Sequence, residues 1–207
     1  MGDLGSSEPF GPLAGITKVT DAEAMAALAR GELETLDVLV ARHNDRAQRL
    51  AFGVLRDPSR THDVVADAFL AVVSTAHRFD LSRPFAPWFD RIVVNLAIRD
   101  VQREVRRRRI AGLWRRPIEV DDPSQVAEAD ELRETISRAF ARLHPRDRAV
   151  VTMRLVLGMS EQETAAVLDC PVGTVKSRLA RARHQLNRYL RDLGIVSASA
   201  APLGDNP

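Results

Sequence analysis

GMSEQETAAVLDCPVGTVKSRLARARHQLNRYLR, residues 158–191, reads as two helices joined by a tight turn, the second carrying a row of cations. Ser160 suits an N-cap, and Glu163 stands three residues on, where its carboxylate reaches back to the Ser160 N–H to make a capping box. Thr164, Ala165, Val167 and Leu168 supply a short apolar face. The helix is predicted to stop near Asp169, because Pro171 lacks an N–H donor and its ring clashes with a preceding turn. The same proline suits the first turn of a new helix. That second helix is predicted from about Pro171 to Arg191, with Val175, Leu179, Ala182, Leu186 and Leu190 recurring at three- and four-residue steps. Lys176, Arg178, Arg181, Arg183, Arg188 and Arg191 crowd the remainder, with no acid before Asp192. In a helix–turn–helix the N-terminal part of the second helix enters the major groove and its cations meet phosphates. A basic helix by itself is more often a solvated face. The capping box, the proline-marked turn and the one-sided charge together favour DNA.

The surrounding composition fits a helical protein. Hydrophobic residues make up 45% of the 207 and charged residues 28%, ordinary for a folded chain. Aromatics are only 5%, so aliphatic stripes on helices are favoured over a β-sandwich. No apolar run approaches the length of a membrane span, and the start lacks the basic-then-apolar pattern of a signal peptide. The net charge is +2, so only the distribution of charge points to nucleic acid. Nearly every cation is arginine, since Lys18 and Lys176 are the only lysines; a GC-rich genome explains that bias first. Cys170 is the single cysteine, which excludes an intramolecular disulfide. A small buried filler accounts for it better than a redox sensor.

Upstream, residues 1–18 are rich in Gly, Pro and Ser and read as a disordered tail. Asp21 is expected to cap a short helix through Ala29, stopped by Gly31. A long helix is predicted from about Glu32 to Arg56 and ends at Asp57–Pro58. The next spans Arg60 to about His77, with Val65, Phe69, Val72 and Ala76 inward and the acids Asp63 and Asp67 sharing the opposite face. Residues 78–87, RFDLSRPFAP, read as a loop. Trp88 is expected to open a helix to about Arg109, with Trp88, Phe89, Ile92, Val93, Leu96 and Val101 inside and Asn95 and Arg99 on a polar side. Aromatics beside an amide and a cation make a platform for single strands, where bases stack on rings and an amide reads base edges. Taken alone, Phe85, Trp88 and Phe89 are more often core. The helix closes on REVRRRR, residues 103–109, where cations also complement the negative end of the helix dipole.

Residues 110–127 carry two prolines and the pair Asp121–Asp122, and read as a flexible linker in which Trp114 has no assigned task. Fully extended, they reach roughly 60 Å, but as a coil only about 20–25 Å. Beyond them, a helix from Glu128 to Leu143 is predicted with Leu132, Ile136, Ala139, Phe140 and Leu143 on one side. A second helix is predicted from Pro145 to Leu157 with Val150, Val151, Met153, Leu155 and Val156, closed by Gly158. The expected division is a tail at 1–18, a domain at 19–109, the linker at 110–127, a domain at 128–194 and a frayed tail at 195–207.

PVGTVKSRLARAR, residues 171–183, together with the preceding LHPRDRAVVTMRLVLGMSEQETAAVLDC, resembles region 4 of bacterial sigma factors, most closely the small extracytoplasmic-function class. The resemblance covers most of residues 20–193. It implies an all-α fold of two small helical domains, region 2 and region 4, joined by the linker. It implies that Asp63, Val64, Asp67, Phe69 and Leu70 grip the β′ clamp helices of core RNA polymerase, with Ala66 standing where the family often has Gln. FDLSRPFAPWFDRIVVNLAIRD, residues 79–100, is similar to the stretch that opens and reads the −10 element, which implies Phe85, Trp88, Asn95, Arg99 and Arg106 as −10 contacts. Base flipping there costs a few kcal/mol that a pocket must offset. Thr174, Lys176, Ser177, Arg178, Arg181 and Arg183 are the implied −35 set, with Arg178 and Arg183 assigned to phosphate or packing. The implied partners are core polymerase, through the clamp helices and the β flap, promoter DNA and an anti-sigma factor, in the cytoplasm.

No glycine-rich phosphate loop, HExxH or GxSxG occurs, and the five histidines share no metal-ligand spacing. We therefore expect no catalytic residues, metal, cofactor or small-molecule substrate. A free-standing helix–turn–helix regulator remains open as an alternative, although it leaves Asp63, Asp67 and the 78–87 loop without a task. A recombinase-like enzyme lacks a nucleophile.

Overall fold

The computed structural model describes residues 19–110 and 128–193, and among them every regular element is helical. Helix α1 is Asp21–Ala29. Its cap is Thr20 and not Asp21: the Thr20 backbone N–H donates to Glu23 Oε2 at 2.7 Å, and the Glu23 N–H returns a bond to Thr20 Oγ1. Asp21 is thereby free to bind across to the next helix, where Arg42 and His43 reach it at 2.8 and 2.9 Å. Gly31, at φ +94°, turns the chain as expected. After a 3₁₀ turn at Leu33–Thr35 comes α2, Leu36–Leu55. Asp57 then caps α3, Pro58–Thr75, with Pro58 in its first turn.

Helix α4 is Phe85–Ile110, so it begins three residues before Trp88. Pro87 falls in the first turn, where its missing N–H has no intrahelical partner to lose. Helices α2, α3 and α4 pack around Leu39, Leu50, Val54, Val65, Val72, Phe89, Val93 and Val94, all fully buried. Two ion pairs fix α4 from outside that core. Arg46 grips the buried Asp90 with two nitrogens, the shorter contact being 2.8 Å, and Arg60 pairs with Asp100.

The C-terminal body is built from α5 (Glu128–Ala141), α6 (Pro145–Val151), α7 (Glu161–Leu168) and α8 (Val172–Asp192). Its own core holds Ala139, Leu143, Val150, Val151, Ala165, Val175, Leu179, Ala182 and Leu186. Three expectations fail here. Ile136 is exposed and not inward. The predicted single helix 145–157 breaks into α6 and a π turn at Thr152–Val156, with the Leu157 N–H donating to the Thr152 carbonyl five residues back. One additional residue in a turn rotates the succeeding side chains by about 100°, so Leu155 and Val156 face outward at 60% and 58% exposure.

The two bodies touch. Ala149, Met153, Met159 and Val167 from the C-terminal body are buried in the same apolar cluster as α2, α3 and α4. Arg56 bonds Ser137 Oγ at 2.6 Å and lies over the Phe52 and Phe140 rings. Arg91 on α4 bonds the Ala166 carbonyl and approaches Asp169 at 3.4 Å. The tails, the linker from 111 to 127 with Trp114, and the Leu132 side chain lie outside the described residues.

Candidate nucleic-acid interface

The helix–turn–helix forms from the local signals in the sequence. Ser160 and Glu163 complete the capping box, with the Ser160 N–H donating to Glu163 Oε2 at 2.6 Å and the Glu163 N–H to Ser160 Oγ at 3.1 Å. Asp169 closes α7 in the left-handed region at φ 50°, a conformation that a short polar side chain tolerates. Pro171 takes the N-cap position of α8, one residue earlier in the helix than expected. Thr164, Ala165 and Val167 are buried, and so is the Val175–Leu179–Ala182–Leu186 stripe of α8; Leu190 is only partly covered.

That burial turns the opposite side of α8 outward. Lys176, Ser177 and Arg181 are exposed, Arg181 to 56% of its side chain. Lys176 lies 3.5 Å from Glu161, and Arg181 lies 3.6 Å from the buried Asp147. Ser177 Oγ donates to the Thr174 carbonyl. Thr174, Arg178 and Arg183 are partly buried, and Arg178 Nη1 sits 3.9 Å from Cys170 Sγ. Cys170 is thus a half-covered contact and not a fully buried filler.

The Glu163 carboxyl is held below the usual glutamate range, first by the Ser160 backbone N–H and then by the Ser160 hydroxyl. A carboxyl lowered in the folded state contributes stability above its unfolded pKa and loses it as pH falls through the folded value. The Ser160 amide proton resonance is therefore expected to titrate with a midpoint below the ordinary glutamate range, and to stop titrating in Glu163→Gln. A midpoint inside that range would show that the anionic cap is not formed.

The second surface is the α3–α4 end of the N-terminal body. Phe85, expected at the −10 contact, is 3% exposed and stacks on Phe89 at 5.3 Å between ring centroids, so it belongs to the core. Helix α4 starts at Phe85 and turns that ring inward, a register that a loop ending at Pro87 would not impose. Trp88 is half-buried, 4.8 Å from the Phe79 ring. Asn95, Arg99 and Arg106 are exposed along α4. The loop before α4 is ordered by Asp80, whose carboxylate accepts from the Ser82 hydroxyl and N–H and pairs with Arg83 at 3.2 Å. Phe79, as the support of Trp88, and the exposed Leu81 are additions that sequence reasoning missed, although both lie inside the aromatic loop.

The third surface is the outer face of α3. Asp63 and Asp67 are exposed and make no salt bridge with any described residue. Leu70 beside them is 65% exposed. Val64 and Phe69 of the same expected set are buried in the N-terminal core, so they shape α3 and do not present themselves to a partner. Among the described residues no group of His, Cys, Asp and Glu is arranged to hold a metal, and no helix is long and apolar enough to cross a membrane.

Comparison with known proteins gives matches over both bodies. Residues 39–108 match the family model for sigma-70 region 2, and residues 133–186 match that for sigma-70 region 4. The ECF RNA polymerase sigma factor SigE of Mycolicibacterium smegmatis is 31% identical over 199 residues, 95% of this chain and 74% of that protein. The ECF RNA polymerase sigma-E factor of Escherichia coli K12 is 27% identical over 85% of this chain and 97% of its own length. Among solved structures, CnrH in complex with the cytosolic domain of CnrY is 30% identical, with a TM-score of 0.59 over 83% of this chain and 97% of that one. The sigma factor RpoE of Bartonella quintana, in complex with the anti-sigma factor NepR, shares the fold at 20% identity, with a TM-score of 0.60 over 73% of this chain and 94% of that one.

Proposed function

This chain belongs to the sigma-70 family, in its extracytoplasmic-function class, and from that premise we propose that it binds core RNA polymerase, reads the −35 and −10 promoter elements and promotes opening of the duplex. The observation that carries the proposal is the presence, in one chain, of a cationic recognition helix and a separate exposed acidic face with Leu70 at its edge. A regulator acting on DNA alone needs only the first.

The N-terminal body, residues 19–109, takes core polymerase on Asp63, Asp67 and Leu70, the surface-accessible members of its set. The −10 strand meets Trp88, Asn95, Arg99 and Arg106. The C-terminal body, residues 128–194, meets the −35 duplex through Lys176, Ser177 and Arg181. Thr174, Arg178 and Arg183 support phosphate contact and packing. Each body alone binds weakly, and tethering both on polymerase raises the affinity through effective concentration. The chain's contribution is binding and strand opening, without bond chemistry of its own. An anti-sigma factor is a further proposed partner, supported by the RpoE relative solved with NepR. Action on these partners is proposed to take place in the cytoplasm.

Run-off transcription with purified core polymerase and a promoter library tests the proposal. Start-site-specific transcripts are expected, and a chain that neither binds core nor yields a transcript would overturn it. Within that assay, Arg181→Ala is expected to weaken binding of the holoenzyme to a specific promoter by about 1–3 kcal/mol if Arg181 reads a base. If it meets phosphate only, the loss is uniform across sequences and the salt slope falls by about one. Binding measured on promoter and scrambled DNA across salt separates these outcomes, and no loss on either removes Arg181 from the interface.

A further inference from the structure

Asp147 is the third residue of α6 and is 1% exposed. At that position a carboxylate commonly turns back to the N–H of the cap residue. Here it does not. The cap is His144, whose Nδ1 accepts from the Arg146 N–H at 3.3 Å, and both Asp147 oxygens are buried without a hydrogen bond. The carboxylate faces α8 instead, where Arg181 Nη1 stands 3.6 Å from Oδ2. Stability does not account for this pair. A buried carboxylate that accepts no hydrogen bond opposes folding, and a cation whose side chain is 56% exposed returns little to offset it.

Arg181 lies four residues after Ser177, one turn along the same outward face of α8. An arginine on an exposed helix face samples many rotamers, and ordering it on binding weakens whatever contact it makes. Asp147 does not share that freedom, because Val150 and Val151 of α6 are locked into one core with Val175, Leu179 and Ala182 of α8. It therefore fixes one nitrogen of the guanidinium and leaves the remaining donors of the planar fork for DNA. Lys176 makes the contrast. Its partner Glu161, at 3.5 Å, keeps 29% of its side chain exposed, so that pair has no comparable anchor.

We propose that Asp147 is a positioning residue that sets promoter specificity, by holding the Arg181 guanidinium in the rotamer that reads a base edge of the −35 element. This rests on the sigma-factor proposal and on Arg181 reading a base. An ordered fork meets two acceptors of one base at once, the geometry by which arginine selects guanine. A disordered fork meets whichever phosphate is nearest, and phosphate carries no sequence information. The negative charge of Asp147 also tempers the attraction of α8 for phosphate, so both effects favour specific over non-specific sites.

The test is binding of the holoenzyme to a promoter recovered by run-off transcription and to scrambled DNA, for Asp147→Asn alone and combined with Arg181→Ala. Asp147→Asn is expected to lower the promoter-to-scrambled affinity ratio about three- to tenfold, the range for ordering one rotamer-rich side chain at an interface. Affinity for scrambled DNA should hold or rise slightly, with the same salt slope, since no phosphate contact is removed. In the Arg181→Ala background the same substitution should change nothing, because its effect runs through Arg181. Removing an unbonded buried charge should leave the melting temperature unchanged or raised. Asp147→Ala should give the same fall in ratio, so the result does not hang on the folding of one variant. A loss of equal size on both DNAs, or one that persists without Arg181, would overturn positioning in favour of a structural role. An unchanged or larger ratio in the Asp147 variants, with Arg181→Ala still weakening promoter binding selectively, would overturn the inference and leave the sigma-factor proposal standing. If Arg181→Ala loses nothing, or loses equally on both DNAs, Arg181 reads no base and the role of Asp147 falls, while start-site-specific transcripts still carry the sigma-factor proposal. If no holoenzyme forms, both fall together.

Discussion

A chain carrying Asp63→Arg together with Asp67→Arg is expected to lose core polymerase by about 2–5 kcal/mol, a weakening of roughly thirtyfold to several thousandfold. Both carboxylates are exposed on α3 without a described ionic partner, so reversing them frees no buried cation within the chain. Two arginines at that spacing are good helix formers, and α3 keeps its inner face of Val65, Phe69 and Val72. The folded state should therefore survive, and thermal melting should change little. Binding of the recognition helix to duplex DNA should also be untouched, because α8 belongs to the other body. Titration of labelled core polymerase measures the loss. Unchanged affinity would move the polymerase contact off α3 altogether.

Phe89→Ala is expected to have the largest effect on stability, about 3–5 kcal/mol. Phe89 is among the largest fully buried side chains, and its ring is in contact with Phe69 at 4.6 Å and Phe85 at 5.3 Å between centroids. Truncation removes the ring through which the start of α4 meets Phe69 of α3, and it leaves a cavity between helices that are pinned by Arg46–Asp90 and Arg60–Asp100. A domain of this size has about 5–15 kcal/mol in total, so a substantial fraction would be lost. Denaturant unfolding followed by helical signal measures the change, and Phe89→Leu should recover most of the difference. A shift below about 1 kcal/mol in the alanine chain would mean that the aromatic cluster is not what holds α3 to α4.

The parts that were legible in the sequence are those written over short distances. Ser160 and Glu163, the proline after Asp169 and the four-residue rhythm of Val175, Leu179, Ala182 and Leu186 all act within one or two turns, and the structure obeys them. The Thr20 cap was equally local: Thr20 has Glu23 three residues on, whereas Asp21 has Ala24, and a capping box needs the acid. Phe85 was ambiguous for a different reason. An aromatic at the junction of loop and helix serves a core or a base equally well, and only the register of α4 decides between them. The π turn has no local signature, and so the outward turn of Leu155 and Val156 was not readable. Gly53 makes room for Thr152, ninety-nine positions along the chain, and a lone glycine in a helix gives no hint of which residue will approach it: a Cβ there would stand 2.1 Å from Thr152 Oγ1.

The wide turn at Thr152–Val156 also bears on how chains of this kind should be aligned. It holds one residue more than an ordinary helical turn requires, so a gap placed there would leave α6 and α7 recognisable by sequence. It would nevertheless rotate everything between them. Two homologues that differ by that single deletion would share every motif and still show visitors a different side of the same segment, with Leu155 and Val156 withdrawn in one and on display in the other.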